Sequence, residues 1–397
     1  MVRLGRLHLL DRLQLLLAGM LLVLGLMSVY SASPADFRKQ LLSLLLGLAA
    51  YGVAARVDYR RLERFLLPAY GACLLLLLVV HFAGHSALGA RRWISIGGFP
   101  LEPSELCKVV VLAALARHFA VRQGAERSLR TMFGAIALAV PPMILILLQP
   151  DLGTSMVFAA ILAGMLFLGG SSRLHLAGLA TLAVVAAPVV PHLLHGYQKQ
   201  RLEIFLNPMS DPLGAGYNLL QARIAVGSGG LLGHGWLHGL QGSLGFVPER
   251  GTDFIFAVYA EQFGLLGCVV LIGLFTGLLL RLSWAASVAP DRFGYLLCAG
   301  VAVMVCFQVV ENIGMNVGLT PIAGIPLPLI SYGGSALVAN LAALGAVQSV
   351  MLRRRLLVYR DVEALDRHLL SESGTVRLDP GLKHPVGAVA SGDPWSA

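Results

Sequence analysis

The sequence has few charged residues. Only 13% of its 397 residues are Asp, Glu, Lys or Arg, whereas 57% are hydrophobic and the mean hydropathy is +0.76. A soluble domain hides one apolar core behind a polar surface, and this composition does not supply such a surface. The scarcity of charge therefore excludes a soluble globular domain and indicates a polytopic membrane protein.

Cysteine is also scarce, and a phosphate-loop motif is missing. The five cysteines lie in or beside apolar runs, with no CxxC pair and no spacing typical of metal ligands. A free cysteine in such a run packs like a small hydrophobic residue. The chain is rich in glycine but has no GxxxxGK[ST] segment, so a glycine-rich phosphate cradle is only weakly indicated.

Ten apolar windows along the chain are candidates for membrane helices. Crossing a bilayer takes roughly 17 to 25 mainly apolar residues in a helix. The windows are residues 13–30, 37–55, 65–83, 104–120, 132–149, 152–170, 174–195, 253–280, 295–317 and 331–352. The predicted fold class is an all-α polytopic membrane protein of about ten transmembrane helices, with a long external loop between helices 7 and 8.

The distribution of positive charge predicts the orientation. An even number of spans places both termini on one side, and with that side cytoplasmic, 21 of the 30 Lys and Arg residues lie inside. This asymmetry is the positive-inside pattern, and it explains the net charge of +9 without nucleic acid. The predicted regions are a cytoplasmic interfacial lead-in at 1–12, the membrane domain at 13–352 with its external loop at 196–252, and a basic, partly disordered cytoplasmic tail at 353–397.

One carboxylate stands at the mouth of a predicted span. Asp253 belongs to residues 248–256, PERGTDFIF, where a polar cluster meets a long apolar run. Ionisable groups at membrane depth usually face a polar cavity or a partner, so Asp253 is a candidate functional residue. The alternative is that the Thr-Asp pair only caps the next helix.

Three further polar groups lie on the same external side. Arg91 and Trp93 form either a phosphate-binding pair or an interfacial anchor. Glu105 and Lys108 share one face at the start of the fourth span, as a structural ion pair or as part of an anion site, because a lysine near a helix N-terminus is otherwise unfavourable. Asp151 is either a helix N-cap or a ligand-binding group.

Two external segments are predicted to be ordered. Residues 217–226, YNLLQARIAV, have the apolar periodicity of a short helix lying along the surface, and this helix carries Arg223. Residues 321–335 form an apolar stretch rich in proline that ends in small polar residues. We expect it to shape a groove that admits lipid.

Two acids lie deeper within predicted spans. Glu261 and Glu311 are expected either to pair with neighbouring polar groups such as Gln308 and Asn312 or to line the same cavity as Asp253.

Taken together, the motifs resemble the SEDS family, the RodA, FtsW and SpoVE group of bacterial cell-wall polymerases. The anchors, in order, are RWI at 92–94, PSELCK at 103–108, QPDLGTS at 149–155, PERGTDFIF at 248–256 and PLPLISYGGS at 326–335. The resemblance extends over about residues 10–355. Residues 224–230 and 235–239 are more similar to the elongation member RodA than to the division member FtsW.

The resemblance implies a fold, an activity and partners. It implies ten membrane helices and a peptidoglycan glycosyltransferase that polymerises lipid II on the outer face of the bacterial inner membrane, with the active site on the periplasmic side. The implied partners are lipid II, an undecaprenyl-diphosphate-linked glycan, membrane lipid, a class B penicillin-binding protein as transpeptidase, and the elongation machinery.

The resemblance also implies site residues. The acid of the Thr-Asp-Phe motif, the proposed catalytic residue of the family, corresponds to Asp253, and Glu105, Lys108 and Asp151 correspond to groups that line its polar cavity. The sequence departs from the family pattern at two positions. Gly251 replaces a histidine that is common before the Thr-Asp pair, and Gly245 stands where an acidic residue is frequent.

As a hypothesis, Asp253 takes the proton from the 4-hydroxyl of the acceptor GlcNAc as a general base. Lys108 and arginines such as Arg91, Arg223 or Arg250 would stabilise the diphosphate leaving group, with a divalent cation, Mg²⁺ or Mn²⁺, whose ligands the sequence does not specify. The predicted substrate-binding residues are Arg91, Trp93, Glu105, Lys108, Asp151, Arg223, Glu249 and Arg250.

Three alternatives remain at this stage. A lipid II flippase also needs buried charges, but near the bilayer midplane, where Glu261 and Glu311 lie. A non-catalytic scaffold would not require Asp253, Lys108 and Asp151 at one surface. A division-specific polymerase of the FtsW type is the third.

Overall fold

The computed structural model describes residues 10–87, 90–96, 99–186, 188, 196–211, 214–239 and 247–372. The chain divides into two compact units, Met1–Arg354 and Arg355–Ala397. Most of the predicted lead-in (residues 1–9) and the end of the predicted tail (residues 373–397) lie outside the described residues.

Helices make up most of the described chain, and the all-α polytopic fold is confirmed. Every predicted window contains a helix, and the described residues of the predicted external loop contain two short α-helices and the 3-10 helix Pro208–Ser210. In chain order the helices are α1 (Arg12–Ala32), α2 (Pro34–Arg56), α3 (Tyr59–Ala83), α4 (Pro103–Val121), α5 (Leu129–Leu148), α6 (Leu152–Leu168), α7 (Arg173–Ala186), α8 (Tyr197–Leu206), α9 (Ala215–Ser228), α10 (Ile255–Ser287), α11 (Arg292–Val317) and α12 (Gly334–Glu372).

Length and composition identify the helices best suited to a membrane. Among the described residues, six helices are long and apolar enough to cross a bilayer, and two shorter apolar ones are α6 and α7. The predicted window for α7 extends to residue 195, but residues 187 and 189–195 lie outside the description.

Side-chain caps explain where several helices begin. The Asp11, Asp58, Asp151 and Asp291 carboxylates each accept a backbone N–H in the first turn, at the starts of α1, α3, α6 and α11 respectively. Such caps satisfy amide groups that have no partner within the helix. At the opposite end of α11, Gly318 has a φ of +80°, the left-handed conformation that ends many helices.

A small antiparallel sheet, absent from the predictions, links α3 to α4. Its strands are β1 (His85–Ala87), β2 (Ala90–Ile96) and β3 (Phe99–Leu101), with β2 in the centre. Trp93 pairs with His85, and Ile94 pairs with Leu101. The segment that carries Arg92 and Trp93 is therefore a strand, for which the sequence analysis made no prediction of secondary structure.

The helix predicted over residues 217–226 is α9, slightly longer than expected. It contacts both α10 and α11, and its residues Leu219, Ala222 and Ala225 are fully buried against Phe254 and Met315. The helix was predicted to lie along the surface, but one of its faces is buried in a small hydrophobic core beside the start of α10.

A break in α10 is filled by the glycine-rich segment after α9. Gly264 has a φ of +63° inside α10, where the helical hydrogen bonding is interrupted. The N–H groups of Leu265 and Leu266 donate to the carbonyls of Gly230 and Leu231 instead. Backbone polar groups at membrane depth need such partners.

Candidate active site

A cavity of about 590 Å³ lies where β2, α8, α9 and the turn before α10 meet the segment before α12. Its volume is in the range of sites that hold small organic ligands. Apolar side chains including Ile204, Phe254, Ile322 and Pro326 form part of the wall. The charged lining residues are Arg92, Glu102, Glu105, Arg201, Glu249 and Asp253.

Asp253 lines this cavity and does not cap α10. The N-cap position of α10 is Phe254, one residue later. The turn that carries Asp253 is closed by the N–H of Phe254, which donates to the Glu249 carbonyl at 3.3 Å. The capping alternative for Asp253 therefore does not apply, and its carboxylate is partly buried in the cavity wall.

The surroundings of Asp253 raise the pKa of its carboxyl group above the ordinary value. Burial raises the pKa of its carboxyl group to about 6, opposed by the positive charges of Arg201 and Arg92 and reinforced by the negative charges of Glu249 and Asp151. A base with a pKa near the working pH is well matched to accept a proton and release it again.

Arg201 is close to Asp253 on the other side of Gly324. A Cβ atom built on Gly324 would lie 3.3 Å from Asp253 Oδ2 and 3.3 Å from Arg201 Nη1, so the two charged groups border the same small space. Arg201 Nη1 also donates to the Ile322 carbonyl at 2.9 Å. The sequence analysis missed Arg201, which lies in the long loop away from every motif.

Arg92 and Asp151 form a partly buried ion pair. Arg92 Nη1 is 3.6 Å from Asp151 Oδ1, and Arg92 Nη2 donates to the Pro150 carbonyl at 3.0 Å. The same Asp151 Oδ1 accepts the Thr154 N–H at 3.0 Å. Asp151 is thus both an N-cap and an ion-pair partner, and it lies behind Arg92, which lines the cavity.

Glu105 and Lys108 form a buried ion pair, the structural alternative of the sequence analysis. Lys108 Nζ lies 2.7 Å from Glu105 Oε2, and both side chains are almost fully buried. Glu105 lines the cavity, whereas Lys108 is not among the lining residues of the described part of the chain. The geometry therefore places Lys108 behind Glu105, as the support for that carboxylate.

Glu102 is a second lining residue that the predictions lacked. Its N–H donates to Ser335 Oγ at 2.8 Å, and its Oε1 accepts the Ser104 hydroxyl at 3.1 Å. Burial raises the pKa of its carboxyl group to about 8, and the nearby carboxylates of Glu105 and Asp151 act in the same direction. Its position directly before the Pro-Ser-Glu motif was the available signal.

Only some of the remaining predicted site residues line the cavity. Trp93 and Glu249 line the cavity, and Glu249 Oε2 accepts the Thr252 hydroxyl at 3.2 Å. Arg223 instead donates from Nη2 to the Gly318 carbonyl at 3.1 Å, at the end of α11. Within the described residues Arg250 is not part of the lining, and the side chain of Arg91 lies outside the description.

The segment of residues 321–335 forms one wall of the cavity, as a shaped groove requires. Ser331 Oγ donates to the Thr252 carbonyl at 2.7 Å, and the Tyr332 N–H donates to the Gly251 carbonyl at 2.8 Å. These bonds tie the wall to the turn that carries the catalytic candidate.

Of the two glycines that depart from the family pattern, Gly251 lies within the described residues. A Cβ at Gly251 would be 3.8 Å from the Tyr332 Cβ, an ordinary contact, so this backbone has room for a side chain. Gly245 lies outside the described residues.

The two deeper acids do not reach the cavity within the described residues. Glu261 is buried beside Gly239, and the Glu311 carbonyl accepts the Thr320 hydroxyl at 3.3 Å. Asn312 does not pair with Glu311, because its amide donates to the carbonyls of Asp253 and Ile325.

Comparisons with known proteins agree on one family. Residues 7–356 match the profile of the FtsW, RodA and SpoVE family, described as cell cycle protein. The peptidoglycan glycosyltransferase MrdB of Escherichia coli (strain K12) is 41% identical over 353 residues, which cover 88% of this chain and 95% of that protein.

Two solved structures have the same architecture. A chain of a peptidoglycan synthase complex, reported for the structural coordination of polymerization and crosslinking, has a TM-score of 0.75 and 36% identity over 87% of this chain and 98% of its own. The rod shape determining protein RodA of Thermus thermophilus has a TM-score of 0.66 and 32% identity over 87% of this chain and 97% of its own.

Proposed function

The chain belongs to the FtsW, RodA and SpoVE family, and from this premise we infer that it is a peptidoglycan glycosyltransferase, a multi-pass membrane enzyme of the RodA type. The observation that carries the inference is the placement of Asp253, a carboxylate of raised pKa, in the wall of a cavity of about 590 Å³ that also holds arginine side chains. A scaffold has no need of such a site.

Asp253 serves as the general base. The 4-hydroxyl of the acceptor GlcNAc attacks the anomeric carbon of the donor glycan, the new O4–C1 bond forms, and the C1–O bond to the lipid diphosphate breaks. The hydroxyl proton passes to Asp253, and the bonding electrons leave with the diphosphate. A general base positioned in this way typically contributes about 10²–10⁴-fold to the rate.

Arg201 and Arg92 are the arginines best placed for the diphosphate. Both line the cavity, and both act electrostatically on Asp253. A guanidinium group suits phosphate oxygens because its N–H donors form paired hydrogen bonds. This assignment replaces the hypothesis that Arg223 binds the leaving group, since Arg223 caps the end of α11. Lys108 contributes indirectly, by holding the Glu105 carboxylate.

A divalent cation, Mg²⁺ or Mn²⁺, remains part of the proposal in a limited form. The described residues contain no group of three His, Cys, Asp or Glu side chains that could hold a metal ion. An all-protein metal cage therefore does not fit this part of the chain. Mg²⁺ is commonly bound by one or two carboxylates together with substrate phosphates, and Glu249 is the lining carboxylate that would hold it, because Asp253 serves as the base and Glu105 is paired with Lys108. When bound, the cation would neutralise diphosphate charge.

The orientation follows from the charge asymmetry. We propose that both termini are cytoplasmic and that the active site is on the periplasmic side of the inner membrane, because 21 of the 30 Lys and Arg residues belong to sequence segments predicted on the side opposite to Asp253. The proposed partners are lipid II, the undecaprenyl-diphosphate-linked glycan, a class B penicillin-binding protein and the elongation machinery. The likeness to a chain of a peptidoglycan synthase complex supports such an assembly.

The proposal is tested by polymerisation of purified lipid II. The detergent-solubilised enzyme with its partner transpeptidase should produce glycan ladders, and the Asp253→Asn variant should produce none while remaining folded. Absence of ladders from a well-folded wild-type complex would instead favour a lipid II carrier.

A further inference from the structure

The backbone carbonyl of Asp253 is held by two side-chain amides of α11. Asn312 Nδ2 and Asn316 Nδ2 each donate a hydrogen bond to it at 3.0 Å. The two asparagines are four residues apart, which places them on the same face of the helix. Both are fully buried. A buried amide is costly unless it is hydrogen-bonded, so the position of each side chain is closely determined.

Asn316 takes the place of one main-chain hydrogen bond. In a regular helix the Ala257 N–H would donate to the Asp253 carbonyl, four residues earlier. Here the Ala257 N–H instead approaches the Phe254 carbonyl and Asn316 Oδ1, each at 3.1 Å. One carboxamide therefore satisfies both groups of the missing bond, and the main chain can leave the helical path at Asp253 without unpaired polar atoms.

Asn312 connects the same point to the opposite wall of the cavity. Its Nδ2 also donates to the Ile325 carbonyl at 2.8 Å. Ile325 follows Gly324, the residue that faces both the Asp253 carboxylate and Arg201. One amide thus links the turn before α10 to the segment that limits the space beside Asp253.

We propose that Asn312 and Asn316, the asparagine pair, are positioning residues that hold the main chain at Asp253 so that its carboxylate points into the cavity. Neither asparagine is among the residues that line the cavity, so they act through Asp253 and not on the substrate. The inference rests on the proposed role of Asp253 as the base and adds how that base is oriented.

The test compares two changes of similar size on α11. Asn316→Leu keeps a similar size but can neither accept the Ala257 N–H nor donate to the Asp253 carbonyl. The matched control is Gln308→Leu, because Gln308 is equally buried on the same helix and its amide has no hydrogen-bond partner among the described residues. Rates of lipid II polymerisation and donor KM are measured for both across a range of pH.

We expect Asn316→Leu to lower kcat about 10–100-fold with little change in donor KM, since a displacement on the order of 1 Å can cost about 10²-fold. Gln308→Leu should match wild type. The acid limb of the pH profile should also move to lower pH in Asn316→Leu, because a loosened carboxylate is better hydrated and its pKa returns toward the ordinary value. The charged groups that act on Asp253 are Arg201 on α8, Glu249 in its own turn, Arg92 on β2 and Asp151 before α6.

A purely structural role gives a different result. It would reduce the folded, active fraction and lower every rate by one factor, leaving the position of the acid limb unchanged, and that outcome overturns the proposal. Asn312→Ala provides a second variant, with a smaller loss expected because Asn316 still donates to Asp253. Asp253→Asn is measured in parallel. If it is active, the proposed function fails, whereas an inactive Asp253→Asn beside an Asn316→Leu variant with wild-type kinetics refutes only the asparagine pair.

Discussion

Adding one methyl group at Gly324 should lower kcat in addition to lowering thermal stability. Gly324 has a φ of +73°, a conformation that L-residues rarely adopt. Its missing Cβ leaves open the space between the Asp253 carboxylate and the Arg201 guanidinium, and a Cβ built there lies 3.3 Å from an atom of each. The Gly324→Ala change therefore acts on the backbone and on the site at once.

The Gly324→Ala change has one effect on the backbone and another on the groups of the site. The left-handed backbone costs an alanine roughly 1–2 kcal/mol relative to glycine. Contacts of 3.3 Å also require the neighbouring groups to give way by a few tenths of an ångström. Since Arg201 is held by the Ile322 carbonyl, we expect the Asp253 carboxylate to move, with a loss in kcat of about tenfold or more.

Gly124→Ala separates these effects. Gly124 also has a left-handed φ, +91°, but a Cβ there would meet nothing within 4 Å. Thermal unfolding should show similar destabilisation of both variants, whereas glycan ladder formation from lipid II should fall only in Gly324→Ala. Equal activity of the two variants would refute the view that the space beside Gly324 belongs to the reacting groups.

Three further outcomes follow from the site. Polymerisation should decline as the pH falls below about 6, because burial raises the pKa of Asp253 and its protonated form cannot accept a proton; a flat profile through that range would argue against this base. Lys108→Met should lower the thermal unfolding temperature strongly, since it leaves the buried Glu105 carboxylate unpaired at a cost of about 3–5 kcal/mol; an unchanged temperature would contradict the pair. EDTA should reduce the rate and added Mg²⁺ or Mn²⁺ restore it, and insensitivity to EDTA would remove the cation.

The helices could be predicted from the sequence because each satisfies a local requirement. A bilayer demands a long apolar segment, and every predicted window contains a helix. Asp253, Glu105 and Trp93 could also be found, since polar groups next to apolar spans are conspicuous. The roles of these residues remain predictions.

The positions of Arg201 and Arg223 could not be predicted, because they depend on contacts between segments that are distant in sequence. Arg201 lies far from Asp253 in sequence, and only the packing of α8 and the segment around Gly324 brings them together. Arg223 was assigned to the substrate because of its charge, whereas the fold places it at the carbonyl of Gly318. No local pattern encodes either arrangement.

The small sheet had a local signal that the hydropathy windows obscured. Residues 94–101, ISIGGFPL, contain a Gly-Gly pair between apolar residues, a common feature of tight hairpins. Strands β2 and β3 flank this pair. A hydropathy window of helical length does not detect a hairpin whose strands are only a few residues long.

The central claim is that Asp253 is the base, and its most direct test is a single-turnover measurement of glycosidic bond formation at saturating lipid II. Asp253→Asn is compared with Glu203→Gln, an exposed carboxylate on α8 that is not part of the cavity lining within the described residues. The account predicts a loss of about 10²–10⁴-fold for Asp253→Asn and a wild-type rate for Glu203→Gln. Bond formation at the wild-type rate in Asp253→Asn would contradict it.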